Sequence, residues 1–208
     1  RLSPSAMKGT PSFAAIVAAA QRIRERAVVT PLLHSPLVDA LCACSVALKA
    51  EHLQRTGSFK FRGALNSVFA LEDEVAKHGV VAHSSGNHGA AVAAAAQARG
   101  IPSVVVVPNT TPAAKVANME RYGAEVILCE PTQRSRSEVS AAEAKKRGAT
   151  FVHPYDDAAV IAGQGTIGVE IVSQVRAQMA AMRTVPPGMQ ACCMLHVAHC
   201  SCCSRVSG

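Results

Sequence analysis

Four consecutive valines, Val104–Val107, constrain the fold more than any other part of the sequence. The run shows no alternation of apolar and polar residues, which is typical of a strand buried on both faces of a parallel sheet. Parallel neighbours are joined by crossovers, usually helices, and the alanine-rich segment Ala90–Arg99 just before the run favours a helix. The sequence therefore predicts an α/β fold with a parallel sheet flanked by helices.

The same strand-helix unit recurs along the chain. Short apolar segments predict further strands, and periodic segments predict further helices. The strands are predicted at Val46–Lys49, Val80–His83, Glu125–Cys129 and Thr150–His153, and the helices over Phe13–Arg26, Thr111–Tyr122, Ser135–Arg147 and Thr166–Met182. Glycines at positions 100, 123 and 148 stand where three of the helices should end. We expect Thr10 to be the N-cap of the first helix and Pro11 to be its first helical residue.

Composition excludes several classes of protein. Hydrophobic residues make up 49% of the chain and charged residues 17%, which is incompatible with a disordered chain or a coiled coil. No apolar run reaches the roughly 18 residues of a membrane span, so we expect no membrane contact. The net charge is +7, but the basic residues are scattered, so we also expect no nucleic-acid partner.

The eight cysteines are unevenly distributed. Five of them lie in the last part of the chain, residues 187–208, to which we assign no structure. Few cysteines elsewhere indicate a reduced, cytoplasmic protein. Cysteines and histidines of this tail could supply four ligands to zinc, but their spacing matches no zinc-finger pattern, and we predict no metal site.

A lysine between two aromatic residues is the first candidate for chemistry. Ser58 is predicted as the N-cap of a helix that carries Lys60 in its first turn. The positive end of the helix and the flanking Phe59 and Phe61 should both lower the pKa of Lys60. An amine with a lowered pKa is what imine formation with a carbonyl requires. A surface lysine with no such role is the alternative.

A polar segment, His83–Gly89, joins a predicted strand to a predicted helix. Its glycines let the backbone approach a ligand, and the free amides of a helix N-terminus favour a carboxylate or a phosphate. An ordinary polar turn is the alternative. A third segment, Gly163–Gly168, is predicted to open a helix at Gly165 and Thr166, either for capping alone or as part of a site.

In this order and spacing, the three segments together resemble the pyridoxal-phosphate enzymes of fold type II, and within them the serine racemase and serine/threonine dehydratase group. The resemblance extends from about Val28 to Val175. It implies a fold like that of the tryptophan synthase β chain, C-terminally truncated. Residues 1–78 would be part of the large cofactor domain, residues 79–156 a small α/β domain, and residues 157–186 a continuation of the large domain.

The resemblance also implies roles for individual residues. Lys60 would hold pyridoxal 5'-phosphate as a Schiff base and remove the α-proton, Phe59 would pack beside the cofactor ring, and Asn87 would bind its phenolic oxygen. Ser85 would be the second acid/base of a racemase. The residues implied to cradle the substrate carboxylate are Ser84, Ser85, Gly86, Asn87 and His88. The implied substrate is a small hydroxyamino acid, and the implied assembly of a full-length chain is a homodimer.

One departure from the family leaves two hypotheses open. In the family, a strand and a glycine-rich loop that binds the cofactor phosphate follow the helix that we predict from Thr166. Here Pro186, Pro187 and Gly188 follow, and then the cysteine-rich tail. The first hypothesis is a serine/threonine dehydratase or serine racemase, and the second is a truncated, non-catalytic paralogue.

Overall fold

The structure is a computed structural model that describes residues 10–184. Its helices are α1 (Phe13–Ile23), α2 (Pro36–Cys42), α3 (Lys60–Phe69), α4 (Asp73–Ala76), α5 (Asn87–Arg99), α6 (Ala113–Arg121), α7 (Gln133–Arg147) and α8 (Ala158–Thr184), with a 3-10 helix at Glu51–Leu53. Its strands are β1 (Leu32–His34), β2 (Ala47–Lys49), β3 (Val80–His83), β4 (Ser103–Pro108), β5 (Glu125–Cys129) and β6 (Thr150–Phe151). The cysteine-rich tail lies outside the described residues.

A four-stranded parallel sheet forms the centre of the first of two compact units, which comprises residues 10–29 and 51–166. The strand order is β5-β4-β3-β6, so β4 lies between β3 and β5. Val81 pairs with Val104, and Val105 pairs with Val126. Val104–Val107 are at most 2% exposed. The predicted parallel α/β sheet is therefore confirmed, because valines without alternation fill a strand that is covered on both faces.

Two helices supply most of the remaining core. Residues His88–Ala96 of α5 are all buried, as are Phe61–Val68 of α3. Alanine makes up most of the buried part of α5, and its short side chain lets neighbouring elements approach the helix closely. Gly100 ends α5 with φ of 71°, in the left-handed conformation that glycine adopts without strain.

The prediction that a helix opens at Gly165 and Thr166 is wrong, because α8 already begins at Ala158. Asp157 makes the earlier start possible, since its Oδ1 accepts the amide hydrogen of Val160 at 2.8 Å. The glycines instead serve helix packing. A Cβ on Gly163 would lie 2.5 Å from the carbonyl oxygen of Arg62, and one on Gly63 would lie 2.7 Å from that of Val160. α3 and α8 therefore cross closely enough to require glycine on both helices.

Local capping differs from the prediction at two other helices. The N-cap of α1 is Ser12, whose hydroxyl accepts the amide hydrogen of Ala15 at 3.2 Å, so the predicted cap at Thr10 and Pro11 is wrong. α3 begins after Phe59, and the hydroxyl of Ser58 is buried without a hydrogen-bond partner instead of capping the helix. The predicted place of Lys60, in the first turn of α3, is confirmed.

The second compact unit comprises residues 30–50 and 167–184 of the described chain. β1 and β2 form an antiparallel pair in it, with Leu33 opposite Leu48. Lys49 joins the two segments of this unit by hydrogen bonds. Its Nζ donates to the carbonyl oxygen of Thr30 at 2.6 Å, to the carboxylate of Glu170 at 2.6 Å and to the side chain of Gln174 at 2.8 Å. The domain boundaries predicted at residues 79, 157 and 187 remain predictions.

α8 is also the one described helix whose length and composition would allow it to cross a membrane, over Ala158–Ala180. Its N-terminal part behaves as a core helix, because Val160, Ala162 and Thr166 are at most 3% exposed.

Candidate active site

Lys60 begins α3 with its side chain half-buried. Its Nζ donates to the carbonyl oxygen of Pro154 at 2.7 Å and lies 5.3 Å from the centroid of the Phe59 ring. Burial lowers the pKa of Lys60 from its ordinary value of 10.5, in the direction expected from the sequence. The neutral amine, which is the nucleophilic form, is therefore more populated here than on an exposed lysine.

A buried arginine two residues further on anchors the helix that carries Lys60. Arg62 is fully buried, and its guanidinium donates to both carboxylate oxygens of Glu51 at 2.8 Å. It also donates to the carbonyl oxygen of Val28 at 3.1 Å and to the hydroxyl of Thr166 at 3.3 Å. Sequence reasoning missed this cluster, since nothing local distinguishes Arg62 from an exposed arginine. The bidentate pair fixes the first turns of α3.

The loop before α5 runs from Ser84 to Gly86 and is held by one hydrogen bond to β4 and one within the loop. The amide of Ser84 donates to Val106 at 3.1 Å, and the hydroxyl of Ser84 accepts the amide hydrogen of Gly86 at 3.2 Å. Gly89 lets α5 lie against this loop, because a Cβ there would come within 2.6 Å of the carbonyl oxygen of Ser84. The first-turn amides of α5 have no acceptor within the helix, and amides of this kind favour an anion.

His88 is buried in the first turn of α5, at 3% exposure. Its Nε2 lies 3.0 Å from the carbonyl oxygen of Val152, and its Nδ1 has no hydrogen-bond partner within the described chain. Burial, with the nearby positive charge of Lys60 as a lesser cause, lowers the pKa of His88 to about 4. A neutral ring that donates through Nε2 leaves Nδ1 as an acceptor. The ring of neutral His88 therefore has no further hydrogen to donate to a ligand.

The segment after β6 connects the two motifs. Val152 accepts from the His88 ring and Pro154 accepts from Lys60, and these two carbonyl groups are two residues apart. Lys60 and the Ser84–His88 loop are thus held against one short stretch of chain. Ser85 is half-buried in that loop and Asn87 is exposed at the start of α5, so neither residue is closed off from a ligand. Their individual roles stay predictions.

A separate cavity of about 430 Å³ lies beside this arrangement. Its lining includes His83, Ser137, Phe151 and His153, but neither Lys60 nor any residue from Ser84 to His88. The cavity borders the candidate site and does not contain the reactive amine.

The residues present fit pyridoxal phosphate. A desolvated lysine amine matches the carbonyl that the cofactor brings. Two buried hydroxyl oxygens without hydrogen-bond partners, those of Thr56 and Ser58, lie four and two residues before Lys60. The free amides at the start of α5 suit an anionic group. Within residues 10–184 no group of three or more histidine, cysteine or acidic side chains is placed to hold a metal ion.

Comparison with known families and proteins gives a consistent result. The family described as pyridoxal-phosphate dependent enzyme matches residues 23–186. Serine racemase from Oryza sativa subsp. japonica is 46% identical over 146 residues, which is 70% of this chain and 43% of the relative. Beta-hydroxyaspartate dehydratase from Paracoccus denitrificans is 44% identical over 165 residues, which is 79% of this chain and 52% of the relative.

Solved structures agree with the sequence comparison. The structure of maize serine racemase has a TM-score of 0.79 at 42% identity, over 80% of this chain and 51% of that one. The structure of T.th. threonine deaminase has a TM-score of 0.75 at 46% identity, over 86% of this chain and 55% of that one. The chain therefore has the fold of the fold type II pyridoxal-phosphate enzymes, and it spans about half the length of the curated relatives it matches.

Proposed function

Because this chain belongs to the family of pyridoxal-phosphate-dependent enzymes, we propose that it provides the lysine and the carboxylate-binding loop of a serine racemase or a serine/threonine dehydratase. The names of its relatives support a small hydroxyamino acid as the substrate, since they include serine racemase, beta-hydroxyaspartate dehydratase and threonine deaminase. The reaction is either inversion at Cα or loss of the β-hydroxyl and the amino group.

Lys60 has two tasks in this proposal. Its Nζ would hold the cofactor, and the same atom would take the proton from Cα of the substrate. When bound, pyridoxal phosphate withdraws electrons from Cα, which makes that proton removable. A lysine is suited to both tasks only when its amine is neutral for part of the time, and the lowered pKa of Lys60 supports this.

The Ser84–His88 loop binds the substrate carboxylate. Backbone amides at the start of α5 donate to it, and the side chains of Ser84 and Asn87 orient it. Phe59 is 41% exposed next to Lys60, which leaves a ring face for the cofactor. Ser85 stands as the acid/base on the face opposite Lys60, where racemisation needs a proton donor and elimination does not.

We also propose a cytoplasmic location and a homodimeric assembly. Free thiols at Cys42, Cys44 and Cys129 support a reducing compartment. Leu37 and Leu41 on α2 are 69% and 78% exposed, which supports a protein contact on that helix. The homodimer is proposed for a chain of the relatives' full length, so sedimentation of such a chain tests the assembly, and a single monomeric species would contradict it.

The observation that carries the proposal is the amine of Lys60, desolvated and fixed on the same segment that holds His88. Protein mixed with pyridoxal phosphate should show an absorption band that borohydride bleaches. Lys60→Ala should abolish the band, whereas Lys115→Ala, at an exposed lysine of α6, should leave it unchanged. A band that survives in Lys60→Ala would contradict the assignment of Lys60.

Ser85 separates the two reactions. In a chain extended at its C-terminus to the length of its relatives, Ser85→Ala should lower D-serine formation by about 10²–10⁴-fold, which is typical of a lost acid/base group. Pyruvate formation from L-serine should fall much less. Both products are measured in one reaction. Equal losses of both products would mean that Ser85 only positions the substrate, and pyruvate without any D-serine in the parent would favour a dehydratase.

A further inference from the structure

The turn that follows β6 carries a histidine whose ring accepts two backbone hydrogen bonds. Nδ1 of His153 accepts the amide hydrogen of Asp156 at 2.8 Å and that of Tyr155 at 3.3 Å. In an Asx-turn, the side-chain oxygen of an aspartate or asparagine accepts the backbone amide two residues further on. Nδ1 of His153 occupies the equivalent position. Nδ1 must therefore be unprotonated, and the ring hydrogen of neutral His153 lies on Nε2.

The same peptide group that donates to His153 also faces Lys60. The amide of Tyr155 and the carbonyl of Pro154 belong to one peptide unit, and that carbonyl accepts from Nζ of Lys60 at 2.7 Å. A trans peptide is planar, and its N–H and C=O point in opposite directions. No cis peptide occurs within the described residues. A ring that fixes the N–H of this unit therefore fixes the direction of its C=O towards Lys60.

Two features keep the turn rigid. Pro154 has a fixed φ, so its ψ is the one torsion within Pro154 that can turn this peptide unit. The His153 ring is itself held edge-on against the Tyr155 ring, with centroids 4.6 Å apart, and against Phe151, with centroids 6.1 Å apart.

We propose that His153 is a positioning residue for Lys60. Through the Pro154–Tyr155 peptide, it holds the carbonyl group that orients the reactive amine before any cofactor arrives. The inference rests on the proposed function for the importance of Lys60, but the contact itself belongs to the protein without cofactor. His153 touches neither the amine nor a reacting atom in this account.

Limited acetylation of the cofactor-free protein tests this role. Peptide mass spectrometry reads the acetylation of Lys60 relative to that of Lys115, which is exposed and serves as the internal reference. His153→Leu removes the acceptor, so Lys60 should react faster by about fivefold, the equivalent of one ordinary hydrogen bond. His153→Asn should stay close to wild type, because Oδ1 of asparagine is as many bonds from Cα as Nδ1 of histidine. His34→Leu, at an exposed histidine of β1, is the matched control and should also match wild type.

Two results would overturn the proposal. One is wild-type reactivity of Lys60 in His153→Leu, and the other is equal reactivity in His153→Leu and His153→Asn. If His153→Leu does not fold, the tautomer of His153 in the wild-type protein tests the proposal instead. Nitrogen NMR distinguishes the two tautomers of the ring. A hydrogen on Nδ1 of neutral His153 would overturn the proposal, and one on Nε2 supports it. Neither measurement uses the cofactor. An unchanged absorption band in Lys60→Ala would therefore contradict the proposed function without contradicting the role of His153, and the two hypotheses can fail independently.

Discussion

Two helices begin at the candidate site, and the positive N-terminus of each has a different effect on the groups beside it. α3 begins with Lys60, a cation at the end of a helix where cations are disfavoured. α5 begins with Asn87 and His88, which are both polar and uncharged, and the free amides of its first turn favour an anion. The first arrangement favours the neutral form of an amine, and the second favours a bound carboxylate.

The two helices also differ in what holds them in place. α3 has a polar anchor in addition to its buried apolar side chains, namely the buried guanidinium of Arg62 on Glu51. α5 is anchored by apolar packing of short side chains from Ala90 to Ala96, with Gly89 at its closest approach. A buried ion pair is costly to break, whereas close apolar packing is sensitive to added volume. The predictions below use this difference.

The largest effect is expected at the polar anchor of α3. Arg62→Met removes the buried guanidinium that pairs with the carboxylate of Glu51, and the free energy of unfolding should fall by about 4 kcal/mol. Arg121→Met, at an exposed arginine of α6, should change it by less than about 0.5 kcal/mol. Denaturant unfolding measures both. A loss of less than about 1 kcal/mol in Arg62→Met would mean that packing, and not the ion pair, anchors α3.

The next effect is a pH dependence at α5. Burial lowers the pKa of His88 to about 4 from its ordinary value of 6.5. Protonation then favours the unfolded chain, so the contribution is fully present above about pH 6.5 and is lost as the pH falls towards 4. The free energy of unfolding should fall by about 3 kcal/mol in total over this pH range. The difference in unfolding free energy between wild type and His88→Gln isolates this contribution across that pH range, and a difference independent of pH would contradict it.

The smallest effect concerns added volume at the start of α5. Gly89→Ala places a methyl group against Ser84 and Val105, so the free energy of unfolding should fall by about 2 kcal/mol. Gly168→Ala is the matched control, because nothing lies within 4 Å of a Cβ there and α8 should gain up to about 1 kcal/mol. If thermal unfolding shows equal shifts for the two variants, close packing at Gly89 is not what places α5 on the loop.

The sheet was predictable because its signal is local. Val104–Val107 can be buried only as a strand covered on both faces, and Gly100 ends the preceding helix by its own backbone preference. In both cases the residues that determine the structure lie within a few positions of one another. Lys60 does lie in a first helical turn as predicted, but the Ser58 cap on which that prediction rested does not form.

The features of the fold and of the candidate site that were not predicted depend on contacts between distant parts of the sequence. Gly165 and Thr166 were predicted to open a helix, but they stand inside α8, next to Gly163, which packs against Gly63 from 100 positions earlier. Arg62 could be judged buried only once Val28, Glu51 and Thr166 were placed around it. The bond from Lys60 to Pro154 spans 94 positions. The sequence motifs indicated the reactive groups, but not the contacts that orient them.

The central claim is that the Lys60 amine is chemically distinct from the other lysines of the chain. Borohydride reduction after incubation with a limiting amount of pyridoxal phosphate makes the attachment permanent, and peptide mass spectrometry then locates it. We expect the modification to be concentrated on the peptide that contains Lys60. Modification spread over exposed lysines such as Lys115 and Lys77, with no preference for Lys60, would contradict the account.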